Sequence, residues 1–176
     1  MNKLRTPFFL LLFFLTISCK SQNYKETKNI IINSVESYIK YKNENATIDN
    51  KKNIIIIGAN SANDKDKNIS VSFYFINPNL LVNFNYSKVY SMNKYKIAID
   101  KSLNKSDILE YAFKDFEIPY ENFNLAKLPY SYNHDYWNLI IDSNSEIIEI
   151  LPEEKSKEIK NILEKKGVKI SKNYIE

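Results

Sequence analysis

Only two glycines, Gly58 and Gly167, occur in 176 residues. Loops that need positive φ, or that bring backbone close to a phosphate, depend on glycine. The scarcity therefore argues against nucleotide-cradling folds and for regular elements joined by Asn, Asp and Pro turns. Apolar residues make up 44% of the chain and aromatics 14%, enough to bury a core without metal or disulfide support. One cysteine, Cys19, rules out an internal disulfide or a Cys-x-x-Cys site.

Charge is informative by type. The chain carries 25 basic and 21 acidic side chains, a formal net charge of +4. Arg5 is its only arginine. Two-pronged recognition of phosphate, carboxylate or guanine uses the guanidinium fork, so scattered lysines give a basic balance without a nucleic-acid footprint.

Periodicity organises the rest. Ile31, Ile32, Val35, Tyr38, Ile39 and Tyr41 fall mostly at three- and four-residue spacing and predict a helix over 25–42. The β-branched run 54–57 reads as a buried strand, followed by a polar connection over 60–68. Ile69, Val71, Phe73 and Phe75 alternate with Ser70, Ser72, Tyr74 and Ile76, the clearest period-two signal in the chain. After Asn77-Pro78-Asn79, Leu80, Val82, Phe84 and Tyr86 alternate again, which predicts a hairpin of 69–76 with 80–87. Tyr95, Ile97 and Ile99 give a further strand. A helix is expected from Asn104 and Asp107 with Ile108, Leu109, Ala112 and Phe113 inward. Trp137, Leu139 and Ile141, a turn over 142–145 and Ile147–Leu151 predict a second hairpin. A last helix follows Pro152, with Ile159, Ile162 and Leu163 as its stripe and Gly167 as its C-terminal cap.

Strands in runs between helices predict an α+β fold: a mainly antiparallel sheet of about five to seven strands packed against N-terminal and C-terminal helices. The other sheet face is expected to be partly open, because Tyr74, Asn83 and Asn85 do not read as core.

The N-terminus has its own pattern. Lys3 and Arg5 precede an apolar run, Phe8–Ile17, broken only by Thr16. That run is about half the roughly 20 residues needed to cross a bilayer core, as in a signal peptide. Leu15-Thr16-Ile17-Ser18-Cys19 resembles the lipobox of bacterial lipoproteins. The resemblance implies removal of 1–18, a thioether-linked diacylglycerol on Cys19 and an acylated amino group. It also implies a lipidated tether over 19–28 and one globular domain over 29–176. Losing Lys3 and Arg5 lowers the formal net charge from +4 to +2. Lys20-Ser21-Gln22 lacks both the aspartate of inner-membrane retention and the acidic run of Bacteroidetes surface export. By the same resemblance, the periplasmic face of the outer membrane is expected.

Tyr130, Tyr132, His134, Tyr136 and Trp137 form the densest functional-looking segment, with the chain's only His and only Trp. Tyr and Trp offer flat faces with polar tips, suited to a protein, peptide or glycan. His134 beside Asp135 is a poor base pair, because neighbours on an extended chain point to opposite sides. Asp64-Lys-Asp66-Lys-Asn68 starts like a calcium loop but has Ile69 and Phe75 where Gly and Glu are required. Asp142-Ser-Asn144-Ser-Glu146 reads as a hairpin turn. Asp107, Glu110, Asp115, Glu117 and Glu121 cluster in sequence with no neighbouring nucleophile or oxyanion donor.

The expectation is a non-catalytic, membrane-tethered envelope lipoprotein that binds a protein, peptide or glycan. It carries no metal or cofactor and has no nucleic acid or nucleotide partner. The alternatives are an envelope hydrolase using carboxylates and His134, or a purely structural or assembly lipoprotein.

Overall fold

The computed structural model describes residues 24–42, 44, 56–63, 68–76, 86–92, 95–100, 105–118 and 136–174. The first helix, α1, covers 24–42 and turns Ile30, Ile31, Val35, Tyr38 and Ile39 into the core. Four strands follow: β1 (Ile56–Asn63), β2 (Ile69–Ile76), β3 (Tyr86–Met92) and β4 (Tyr95–Asp100). A short helix, α2 (Ile108–Phe113), runs through a 3-10 turn into β5 (Glu117–Ile118). The chain ends with β6 (Trp137–Ile141), β7 (Ile147–Leu151) and α3 (Ser156–Lys165).

The fold is α+β. Among the described residues the strands lie in the order β5-β3-β4-β1-β2-β6-β7. Two antiparallel blocks, β5-β3-β4 and β1-β2-β6-β7, meet where β1 pairs with β4 in parallel. Register places Tyr90 beside Ile97, Ile99 beside Ala59, Ala59 beside Phe73 and Phe73 beside Trp137. Those residues share one face, and α1, α2 and α3 all contribute to the buried cluster on it. Tyr38 of α1 meets Phe73 at 6.3 Å and Trp137 edge-on at 5.4 Å, ring centre to ring centre.

Of the expected hairpin of 69–76 with 80–87, residues 80–85 lie outside the described residues, and the described strands on either side pair elsewhere. Strand β2 gives one edge to β1 and the other to β6, while β3 makes its hairpin with β4. Alternation identifies which residues share a face and is silent on which strand lies alongside. Strand β1 also continues through Asn60–Asn63, into the polar stretch expected to be a connection. Its Ser61 is buried because the hydroxyl donates to the Ser106 carbonyl (3.0 Å), and Lys105 N–H donates to the Ser61 carbonyl (2.6 Å). Backbone and side chain are thus satisfied together, and a polar strand becomes affordable.

Tyr74 is buried, as are Val89 and Ala98 on the same face, opposite the helices. This corrects the expectation that Tyr74 lies on an open face. Its ring supplies enough apolar area to be covered despite the hydroxyl. Asn83 and Asn85 lie outside the described residues.

Gly167 fulfils its expected role at the end of α3. Its φ is +74°, its N–H donates to the Glu164 carbonyl and Val168 N–H donates to the Leu163 carbonyl. Val168 packs in the core with Leu163, which completes a Schellman cap. The chain then returns to β7, where Ile170 bridges Ile147 in parallel. The β6–β7 turn is held by Asp142, whose carboxylate accepts from the backbone N–H groups of Asn144 and Glu146, both at 2.9 Å.

Candidate functional site

Tyr136 and Trp137, adjacent in sequence, have opposite fates. Tyr136 is 39% exposed, whereas Trp137 is 1% exposed. As the first residue of β6, Trp137 points toward α1 and lies against Tyr38 and Tyr41, the latter at 5.5 Å. Trp137 is therefore a core residue and leaves the expected aromatic surface. Alternate residues of a strand face opposite sides, and the sheet face under α1 takes the larger ring. Its indole N–H is buried with no hydrogen-bond partner among the described residues, which fits a packing role. Tyr130, Tyr132, His134 and Cys19 lie outside the described residues.

Three of the carboxylates over 107–121, Glu110, Asp115 and Glu117, are paired with lysines. Glu110 and Glu117 each lie 3.6 Å from Lys88 Nζ. Tyr90 is buried close by. Burial first, and then the charges of Glu110 and Glu117, push its phenol well above the ordinary value of 10.0. Asp115 accepts a 2.6 Å hydrogen bond from Lys28 Nζ. Glu121 lies outside the described residues. Exposed pairs of this kind contribute little stability, because water screens them.

The Lys28–Asp115 pair belongs to a surface cluster that joins the start of α1 to α2. Tyr24 and Tyr111, 54% and 42% exposed, meet edge to face at 5.6 Å. Lys28 Nζ also stands 5.8 Å from the centre of the Tyr111 ring. Tyr24 and Lys28 are four residues apart and share a face of α1, while Tyr111 lies on α2 and Asp115 in the 3-10 turn that follows it. Tyr24 falls within the tether expected over 19–28. Since Thr27 is buried and bonded to Ser145, and Lys28 is paired, residues 24–28 belong to the folded body instead.

The hydrogen bond from Lys28, then its charge, hold the Asp115 carboxyl below its ordinary value of 3.8; slight desolvation opposes this and Lys114 adds to it. A lowered carboxylate favours the folded state above the ordinary value, and that contribution is lost as pH falls through the lowered one. In a carbon-13 NMR titration, Asp115 is expected to protonate below 3.8. Lys28→Ala should move the midpoint upward. An unchanged midpoint would mean the pair does not form in solution.

A separate cleft of about 180 Å³ lies between α1 and the C-terminal turn, lined by Glu26, Asn29, Asn33, Ser145, Gly167 and Lys169 among others. Beside it Thr27 and Ser145 share a buried hydrogen bond of 2.8 Å between hydroxyls. Small-molecule pockets are typically about 300–1,000 Å³, so this cleft is undersized for a sugar chain or cofactor. None of the 107–121 carboxylates lines it.

Comparison of the chain with family models, curated proteins and solved structures finds no match. Among the described residues, no helix is long and apolar enough to cross a membrane. Sequence reasoning missed the Tyr24–Tyr111 cluster. Its one linear signal was a large aromatic, Tyr111, on the outer side of a helix whose inward face was already assigned to Ile108, Leu109, Ala112 and Phe113.

Proposed function

We propose that this chain is a membrane-tethered envelope lipoprotein whose α+β domain binds a protein, peptide or glycan without catalysis. The lipobox-like Leu15–Cys19 stretch carries the reading: the only cysteine stands five residues before the first described residue of α1. The location that follows is the periplasmic face of the outer membrane. Tyr130, Tyr132, His134 and Tyr136 make up the proposed binding surface, supported by the exposure of Tyr136 at the head of β6. Part of the same reading is that the strands act as one mainly antiparallel sheet of about five to seven strands. The unbroken order from β5 to β7 supports it.

Burial of acyl chains is worth about 0.8 kcal/mol per CH₂, so two or three chains anchor firmly. Palmitate labelling and detergent partitioning of the full chain test the proposal. The parent should incorporate label, lose 1–18 and enter the detergent phase. Cys19→Ala should remain an unlabelled precursor. A free thiol at Cys19 in the processed parent would overturn the reading.

A further inference from the structure

We infer that the Tyr24–Tyr111 face lies against the headgroup layer of the bilayer that holds the lipid; this rests on acylation at Cys19. Tyr24 is five positions after Cys19, and a chain reaches at most about 3.6 Å per residue. However those residues are arranged, Tyr24 stays within roughly 18 Å of the anchor. The first turn of α1 is thus the part of the described fold nearest the membrane. At that place two of the three exposed large hydrophobic residues found among the described residues are in contact with each other. Tyrosine suits this depth, with an apolar ring against the acyl boundary and a hydroxyl among the headgroups.

Charge points the same way. Asp115 compensates Lys28, while Lys25 and Lys114 are exposed beside them. Glu110 and Glu117, further along, both engage Lys88. Lysines with long apolar stems next to tyrosines complement a phosphate-rich surface. The six-residue α2 presents Tyr111 only because its other side is buried, so the two rings are held in fixed relation. The domain therefore sits down on the bilayer in one orientation, with Lys40 about 24 Å along α1 from Tyr24 and so remote from the contact.

Amine-reactive footprinting tests this on the acylated full chain bound to vesicles of phosphatidylethanolamine and phosphatidylglycerol. Lys25 and Lys114 should label at least about threefold more slowly than in a Tyr24→Ser/Tyr111→Ser variant on the same vesicles, with Lys40 unchanged in both. Parent and double variant must both pellet with vesicles and carry acyl mass. Equal labelling of Lys25 and Lys114 in parent and variant, with both pelleting, overturns the orientation and leaves the anchor standing. Missing acyl mass overturns both. Protection without vesicles that grows with protein concentration also overturns the inference, since a second copy then covers the face. Circular dichroism melts confirm that the double variant stays folded.

Discussion

Trp137→Ala is expected to lower unfolding free energy by about 3–5 kcal/mol, against a typical total of about 5–15 kcal/mol. The indole is 1% exposed, pairs in register with Phe73 and is held by Tyr38 and Tyr41 from α1. Removing it leaves a hole under the C-terminal end of that helix, and a rigid sheet cannot collapse to fill it. Trp137→Phe should cost less, within about 1.5 kcal/mol of the parent. It keeps a ring in place and deletes an N–H that is buried without a partner among the described residues, whose desolvation is a standing cost. Urea unfolding followed by far-UV circular dichroism measures both, since the chain has no other tryptophan to report by fluorescence. A loss below about 1 kcal/mol for the alanine variant would return this ring to the surface with Tyr136.

Leu109→Ala is expected to cost about 2–5 kcal/mol and to undock α2 in particular. Isolated helices shorter than about 12–15 residues are marginal in water, and α2 has six. Asp107 at its start makes no side-chain cap, although Ser106 Oγ accepts from Ile108 N–H at 3.3 Å. What holds it is burial of Ile108, Leu109, Ala112 and Phe113, with Phe113 against Tyr90 at 5.7 Å. Hydrogen exchange should show the amides of 108–113 losing protection more than those of β2 at the sheet centre. Tyr111→Ala, on the exposed side, should change global stability by no more than about 0.5 kcal/mol. If α2 keeps its protection in the leucine variant, its packing is not what forms it.

Local pattern carried much of the architecture. The inward face of α2, the alternation of β2 and β6, the turn at Asp142 and the glycine cap of α3 each follow from residues within a few positions of one another. The partner of β2 did not follow, because alternation fixes a face and leaves the neighbour to long-range packing. The polar second half of β1 was hidden for a related reason. Asn60 and Ser61 look like loop until Ser106, 45 positions after Ser61, supplies the carbonyl that Ser61 needs. The site was harder still. Tyr136 and Trp137 looked like one cluster because they adjoin in sequence, yet a strand sends them to opposite sides. Tyr24 and Tyr111 touch across two helices, with nothing in the linear sequence to pair them.

The contact between Thr27 and Ser145 spans 118 positions, and Glu26 and Glu36 reach Lys169 and Lys166 from the same helix. The opening helix of this domain therefore finds its seat only after nearly all of the polypeptide has left the ribosome. Until then its apolar stripe has no permanent cover, and the nascent protein stays an open thread. Order in the first helix is thereby made conditional on the stretch 145–169, and a break in that stretch should loosen a helix more than a hundred positions away.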